Sequence, residues 1–472
     1  MIKSLTKNAV LTTIKQVFQI IFPFITIPYV TRILTPENYG MVTFSSSCVS
    51  YFSLIAALGI STYGVREGAV IRDNRKSLSK LASELLTLNL ISTIISYLLL
   101  VVSVLLFPKL QGYSSLIFLQ SITIFCITIG MDWINTVEED YLYLTLRYII
   151  FQMISLLLMF LLVRDKDDYF KYACIYTFAS GGANILNWLY VRKYVDIKLR
   201  FNVDWKKHIT PVLVLFGNAL AITIYVNSDI TMLGLFQSDR AVGIYGLTSK
   251  IYIIIKQVLN AVVVVTIPRL VFYLGSQRME EFRLLSGRIF SAMLTLVVPS
   301  VIGLCFFSTE IVTIVGGEQY AEGSIVLIIL SLAVLFSLIA SFFTNCILIP
   351  YKFEKNVLYG TMFAAVLNVS LNIFFIPIWS YVGAAVTTLI AELFMAFYSY
   401  QLIKKKKIMF CYYKVHIPVM GGGICVIAIC FMLKKCIDNK FLALAVSVLV
   451  SSFVYSIAQI KLKNESILWK RG

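Results

Sequence analysis

Charge is scarce in this 472-residue chain. Asp, Glu, Lys and Arg make up 14% of the residues, 59% are hydrophobic, and the mean hydropathy is +0.85. Soluble globular proteins carry about 25% charged residues. A soluble chain of this length would also divide into domains joined by polar linkers, which are missing here. These absences exclude an ordinary soluble protein and indicate many membrane-spanning helices.

Catalytic and metal-binding patterns are missing as well. The chain has two histidines, His208 and His416, and both are predicted to be solvated in cytoplasmic loops. The nine cysteines form no C-x-x-C pair, which predicts reduced, packed side chains. The glycine run 421–423 has no following lysine, so it predicts close helix packing instead of a phosphate loop. The sequence therefore predicts no catalytic residue, no metal site, no cofactor and no nucleic-acid partner.

The chain consists largely of long apolar runs. A transmembrane helix needs about 20 mostly apolar residues, so the sequence predicts an all-α integral membrane protein with about fourteen spans. The N-terminal run is taken as the first span, because no signal-peptide cleavage pattern follows it. The predicted spans are 10–34, 41–62, 85–107, 114–134, 147–163, 172–191, 210–234, 242–268, 287–308, 324–349, 357–377, 380–402, 417–433 and 441–460.

Lysine and arginine predict the orientation of these spans. With both termini in the cytoplasm, most of the 41 basic residues fall in cytoplasmic segments, as the positive-inside rule requires. The loop between spans thirteen and fourteen disagrees, because Lys434, Lys435 and Lys440 would lie outside. The run of four lysines at 404–407 predicts a cytoplasmic anchor, with anionic lipid headgroups as a lesser alternative.

A short polar motif recurs in the two halves of the chain. LTPENYG (34–40) separates spans one and two, and Thr35, Pro36 and Glu37 suit a capped helix start. QSDRAVG (237–243) separates spans seven and eight in the same way. The recurrence predicts two six-helix lobes related by an internal repeat, as in many transporters. The predicted divisions are an N-terminal lobe (1–200), a C-terminal lobe (201–403), and a basic loop with two peripheral helices (404–472).

Polar side chains form stripes along several predicted spans. Such residues usually face a bundle interior or a water-filled cavity, because a charge at mid-bilayer costs about 2.5–3.5 kcal/mol. We predict a substrate-binding cavity and place possible ion coupling at Asp229 and Glu392. A structural Lys256–Asp229 pair, snorkelling of Lys15 and simple helix packing are the alternatives. The predicted cavity residues are Lys15, Lys256, Asn8, Gln19, Asn218, Asn368 and Asn372.

The chain resembles the Wzx-type polysaccharide flippases of the multidrug/oligosaccharidyl-lipid/polysaccharide exporter superfamily. The resemblance is carried by KNAVLTTIKQVFQIIFPFITIPYVTRILTPENYGMVTF (7–44), LGISTYGVREGAVIRDN (58–74) and NVSLNIFFIPIWSYVGAAVTTLIAE (368–392). Flippases of this superfamily place basic residues in spans one, two and eight. Lys15 and Lys256 are the counterparts here, but span two contains no Lys or Arg, which argues against lipid II as the substrate.

The resemblance implies transport of an oligosaccharide repeat unit on polyprenyl pyrophosphate from the inner to the outer leaflet of the cytoplasmic membrane, for O antigen or capsule. Lys15 and Lys256 would hold the pyrophosphate, and the Asn and Gln side chains would contact sugar hydroxyls. Implied partners are the lipid-linked oligosaccharide, membrane lipids, and the polysaccharide polymerase and chain-length machinery. Proton or sodium coupling is left open.

Two other functions fit parts of the sequence. A cation-coupled multidrug exporter on the same fold would favour an acidic cavity, whereas the intramembrane charges here are slightly more basic. A membrane-embedded glycan polymerase or ligase would need a sizeable outer loop with catalytic side chains. The longest predicted outer loop, 308–324, is too short for that, so the sequence favours a transporter over an enzyme.

Overall fold

The computed structural model describes residues 5–199, 204–408 and 416–462, and every regular element in these ranges is a helix. The predicted all-α fold class is confirmed. The chain divides into two compact units, 1–243 and 244–472. The boundary between the two compact units lies at residue 243, whereas the predicted boundary between the six-helix lobes lies at residue 200. The predicted lobes therefore stay a prediction.

In the first unit, the described helices are α1 (Leu5–Ile33), α2 (Pro36–Ala57), α3 (Ile60–Ile71), α4 (Arg75–Leu106), α5 (Pro108–Gln111), α6 (Ser114–Gly130), α7 (Asp132–Val137), α8 (Tyr141–Leu162), α9 (Tyr169–Thr177), α10 (Ala183–Tyr190), α11 (Trp205–Phe236) and the first turn of α12 (Asp239–Gly275). A π-helical turn, Phe178–Gly182, joins α9 to α10.

The second unit continues α12. Its other described helices are α13 (Met279–Phe306), α14 (Ser308–Gly316), α15 (Ser324–Phe342), α16 (Glu354–Lys405), α17 (His416–Cys436) and α18 (Lys440–Lys461). A 3₁₀ turn, Glu318–Gly323, precedes α15, and a π-helical segment, Phe343–Leu348, follows it.

Eleven of the described helices are long and apolar enough to cross a membrane. Large apolar side chains such as Phe24, Val265 and Leu449 are more than 60% exposed along them. A soluble surface avoids such patches, so these faces fit contact with lipid. The predicted count of fourteen spans is not confirmed. Predicted span four contains the 17-residue α6, and predicted span six consists of α9, the π-turn and α10.

Predicted spans eleven and twelve lie together in α16, which is a hairpin. Ser380 has φ 50° and ψ −132°, a conformation that ends the first helical arm and starts the second. The Tyr398 hydroxyl donates to the carbonyl of Asn356 at 3.0 Å, and the Thr387 hydroxyl donates to the side chain of Asn372. The arms 354–379 and 381–405 therefore run antiparallel.

The predicted helix start at LTPENYG is confirmed. The Thr35 hydroxyl accepts the backbone N–H of Asn38 at 3.2 Å, and Pro36 occupies the first helical turn of α2. The equivalent turn of α12 is capped by Ser238, which accepts the N–H of Ala241 at 3.4 Å.

These two helix starts also pack against each other. A Cβ atom on Gly40 would overlap the backbone of Asp239, and one on Gly243 would overlap the backbone of Pro36. The glycines of the repeated motif therefore allow the first turns of α2 and α12 to approach backbone to backbone. An ion pair of 3.3 Å between Glu37 and Arg240 joins the same turns.

Candidate functional site

Lys256, predicted as a cavity cation, belongs to a compact polar cluster in the second unit. Its Nζ lies 2.9 Å from Oε1 of Glu392 and donates to the Tyr252 hydroxyl at 3.3 Å. The Tyr252 hydroxyl in turn donates to Oε1 of Glu392 at 2.9 Å. The Glu392 side chain is 5% exposed and that of Lys256 is 33% exposed. The structure thus brings two predicted site residues, Lys256 and Glu392, together. The sequence suggested Asp229 as a possible ion-pair partner of Lys256, whereas in the structure the carboxylate beside Lys256 is that of Glu392.

Lys256 in this cluster can form a further hydrogen bond to a ligand. An ammonium group has three N–H donors, and Glu392 and Tyr252 account for two of those of Lys256. A buried carboxylate needs a cation or hydrogen-bond donors nearby to stay ionised. Lys256 can therefore contact an anionic group while the cluster fixes its position, and Glu392 depends on Lys256 for charge compensation.

Asn368 and Asn372 are also brought together. Both are at most 1% exposed, and Nδ2 of Asn372 donates to Oδ1 of Asn368 at 3.2 Å one turn away. Thr387, on the other arm of the α16 hairpin, donates to Asn372. The three side chains form a buried polar network that holds the two arms together.

Asn8 has a partner in the first unit. Its Nδ2 donates to Oε2 of Glu139 at 3.3 Å, and the other carboxylate oxygen of Glu139 lies 2.6 Å from Nη1 of Arg72. The hydrogen bond that Arg72 donates to Glu139 raises the pKa of the Arg72 guanidinium above its usual value. This arrangement ties the start of α1 to the end of α3.

The remaining predicted site residues of the first unit differ in exposure. Lys15 is half-buried, with its Nζ 5.7 Å from the centre of the Tyr148 ring, a cation–π contact. Gln19 and Asn218 are exposed, and Asp229 is 5% exposed. None of these placements tests a role in binding, so the cavity assignment stays a prediction.

The prediction for His208 is wrong. This side chain is fully buried near the start of α11. Its Nδ1 lies 2.9 Å from the Tyr63 hydroxyl, and its Nε2 lies 3.2 Å from Oε2 of Glu84. His208 is buried because α11 packs against α3 and α4. This packing could not be predicted from the local sequence around His208. The side chain of the other histidine, His416, lies outside the described side chains.

A second polar cluster that the sequence did not assign surrounds Asp132. Nη2 of Arg147 lies 2.7 Å from both carboxylate oxygens of Asp132, and the Arg147 side chain is 6% exposed. Nδ2 of Asn187 donates to the same carboxylate at 3.0 Å, to Oδ1 of Asn135 at 2.8 Å and to the carbonyl of Gly130. The available signal was an aspartate that interrupts predicted span four, followed by an arginine near the start of span five.

Comparison with known proteins identifies the family. The model of the polysaccharide biosynthesis protein family matches residues 5–273, more than half of the chain. The chain belongs to the polysaccharide biosynthesis protein family. The flippase resemblance stated from the sequence motifs is thereby confirmed.

Two relatives of this family member cover most of its length. The capsular polysaccharide biosynthesis protein CapF of Staphylococcus aureus is 23% identical over 422 residues, which span 85% of this chain and 100% of CapF. A putative O-antigen transporter of Escherichia coli (strain K12) is 20% identical over 419 residues, which span 86% of this chain and 99% of the transporter.

Two solved structures share the fold of this family member. The lipid II flippase MurJ in an inward closed conformation superposes with a TM-score of 0.76 at 17% identity, over 96% of this chain and 99% of MurJ. A multidrug resistance MATE family transporter of the MOP superfamily, in an inward-facing conformation, gives a TM-score of 0.63 at 12% identity, over 84% of this chain and 98% of that structure. The chain is thus a multi-pass membrane protein with a flippase-like fold.

Proposed function

We propose that this protein moves polyprenyl-pyrophosphate-linked oligosaccharide repeat units from the inner to the outer leaflet of the cytoplasmic membrane by alternating access. Family membership supports a role in polysaccharide biosynthesis, and the relatives' names include a capsule protein and an O-antigen transporter. The observation that carries the proposal is the Lys256 cluster, which presents a positioned ammonium group within a long apolar helix.

The physical need for such a group follows from the substrate. A sugar–pyrophosphate cannot cross about 30 Å of hydrocarbon unaided, because each unpaired polar group costs several kcal/mol there. An ammonium group forms charge-assisted hydrogen bonds to phosphate oxygens. In this proposal Lys256 and Lys15 contact the pyrophosphate, and the predicted amide side chains, Asn8, Gln19, Asn218, Asn368 and Asn372, contact sugar hydroxyls.

The pairing of Lys256 with Glu392 supports a coupling role for the carboxylate. When Lys256 turns toward a pyrophosphate, Glu392 loses part of its charge compensation in a buried setting. Uptake of a proton or a sodium ion by Glu392 would restore neutrality, so substrate binding and ion binding would favour each other. Asp229, also buried, is the second candidate for this ion.

Reconstitution tests this function. Proteoliposomes that contain the full chain and a fluorescent polyprenyl-pyrophosphate glycan should expose the glycan to an externally added enzyme faster than empty vesicles do. Lys256→Ala and Lys15→Ala should each slow this rate by about tenfold, the equivalent of about 1.4 kcal/mol. Lys250→Ala, on the same helix as Lys256, is the matched control and should retain the wild-type rate. Wild-type rates in both Lys256→Ala and Lys15→Ala, at equal protein content, would contradict the proposal.

The alternative is a cation-coupled multidrug exporter, because the MATE transporter shares the fold. Buried Glu392 is the observation that favours it, since acidic groups attract organic cations. Expression in a drug-sensitised strain separates the two functions. Resistance that depends on Glu392, in a protein that flips no glycan, would establish the alternative.

A further inference from the structure

A cavity of about 220 Å³ lies inside the first unit. It is bounded by the end of α2, the start of α3, the middle of α4, the end of α6, the start of α7 and α10. Its lining residues are Ala57, Ile60, Ser61, Leu85, Leu86, Asn89, Ile127, Thr128, Gly130, Met131, Asp132, Trp133 and Asn184. Ser61 and Ile127 are exposed, so the cavity can be reached from the protein surface.

Three irregularities in helix geometry meet at this cavity, which we call the break cavity. The junction of α2 and α3 passes through Leu58 and Gly59, with φ values of 47° and 73°. The junction of α6 and α7 passes through Met131, with φ 47°. The π-turn Phe178–Gly182 directly precedes α10. Broken helices and π-turns in membrane proteins often mark ligand sites. The cavity lining flanks the first two breaks directly, and Asn184 lies two residues beyond the π-turn.

The break cavity contains polar groups with no protein partner. Asn89 is 7% exposed, and its side-chain amide forms no hydrogen bond with any described residue. The amide of Asn184, which also lines the cavity, is likewise unpartnered among the described residues. Both amides lie on the wall of a cavity that can be reached from the surface, so a ligand that enters it can hydrogen-bond to them. A ligand with hydroxyl groups would satisfy both amides, because each amide can donate and accept.

The charge of the cavity argues for a neutral ligand. Asp132 is the only acidic or basic residue in its lining. Arg147 already neutralises that carboxylate with two contacts of 2.7 Å, and Asn187 donates to it as well. The Asp132–Arg147 pair is neutral as a whole, so the lining offers no uncompensated charge for a metal cation or an anion. Trp133 also lines the cavity, and its indole ring packs against Gly64 and Gly68 of α3.

We propose that the break cavity binds a single neutral pyranose ring of the transported glycan. The inference rests on the proposed function, because that function supplies the sugar. The volume lies below the roughly 300–1,000 Å³ of pockets for larger organic ligands, so it suits one ring of an oligosaccharide. Asn89 and Asn184 contact its hydroxyls, and Arg147 acts as a positioning residue that holds Asp132.

Free monosaccharides test this site without any transport step. The full chain in lipid nanodiscs is mixed with the monosaccharides released by acid hydrolysis of the source strain's own surface polysaccharide, and saturation-transfer NMR detects binding. One of these sugars should bind the wild type saturably. Asn89→Leu and Asn184→Leu should each weaken that binding by about tenfold or more. Asn356→Leu, in the second unit, is the matched control and should bind as the wild type does.

A thermal measurement distinguishes a binding role from a structural one. The Asn89 amide lines the cavity and hydrogen-bonds to no other described side chain, so Asn89→Leu should unfold at the same temperature as the wild type or higher while it loses the sugar. Unchanged sugar binding in both leucine variants, or no binding of any released sugar by the wild type, would overturn the inference. Stabilisation by sodium chloride but not potassium chloride, abolished by Asp132→Asn, would overturn it in favour of a cation site.

The two proposals fail separately. Sugar binding that depends on Asn89, in a protein that flips no lipid-linked glycan, would retain the sugar site and refute the transport function. Normal glycan flipping by Asn89→Leu and Asn184→Leu, with unchanged sugar binding, would retain the function and refute the site.

Discussion

Individual charged side chains in this protein are stabilised by specific partners. Lys256 has Glu392 and Tyr252, Arg147 has Asp132, and His208 lies between Tyr63 and Glu84. Removal of one member of a buried pair leaves the other uncompensated, which typically costs about 3–5 kcal/mol. The Lys256 and His208 contacts link helices that lie far apart in the sequence, and the Arg147 contact joins the consecutive helices α7 and α8.

The His208 contacts give a stability prediction. His208→Leu removes the ring nitrogen that lies 3.2 Å from Glu84 and the one that lies 2.9 Å from the Tyr63 hydroxyl. We expect the free energy of unfolding to fall by about 1–3 kcal/mol, because two buried hydrogen bonds are lost, measured by denaturant titration in detergent.

His208→Gln is the matched variant, because an amide can still donate to Glu84. It should recover part of the lost stability. Equal stability of His208→Leu and the wild type would show that the buried contacts contribute nothing.

At the scale of helices, glycine determines how closely two elements approach. The first turns of α2 and α12 meet at Gly40 and Gly243, where a Cβ on either residue would overlap the opposite backbone. Backbone atoms cannot rotate away as a flexible side chain can, so the helices themselves must separate to accommodate a larger residue.

Gly40→Ala should therefore destabilise the protein by about 1–3 kcal/mol. Gly217→Ala is the control, because α11 leaves open space beside Gly217. There alanine should be neutral or stabilising by up to about 1 kcal/mol, through its higher helix propensity. Thermal unfolding of the two variants in the same detergent gives the comparison, and an equal loss in both would show that helix contact is not the cause.

At the scale of the whole molecule, two basic residues that oppose the predicted orientation have ion-pair partners. Lys434 and Lys440 contradict the positive-inside pattern in the predicted orientation. In the second unit Lys434 lies 2.8 Å from Glu310, and Lys440 lies 2.6 Å from Glu318. Topology follows the distribution of Lys and Arg and depends little on acidic residues, so this loop still opposes the predicted orientation.

The predicted orientation places both termini and the basic run 404–407 in the cytoplasm. A cysteine introduced at Lys406 should resist a membrane-impermeant maleimide in intact cells, or in spheroplasts if an outer barrier is present. A cysteine at Lys440 should react. Lysis should expose both positions equally, and labelling of only Lys406→Cys in intact cells would reverse the orientation.

The sequence predicted the features that depend on local chemistry. Hydropathy predicted the all-helical membrane class. The polar motifs that contain Thr35 and Ser238 predicted helix starts, and both side chains accept a backbone N–H of the following helix. The pairing of Lys256 with Glu392 and the burial of His208 could not be predicted, because they depend on which helices pack together. The break at Met131 was equally hidden, since no glycine or proline occupies that position.

The hairpin turn at Ser380 bears on how the protein enters the membrane during synthesis. Its first arm carries Asn368 and Asn372, which are costly to leave unpaired in hydrocarbon. Thr387, on the second arm, donates to Asn372, and a single non-helical residue, Ser380, separates the two arms. With so short a connection, we expect the two arms to enter the bilayer together as one hairpin, so that the contact between Asn372 and Thr387 forms during insertion.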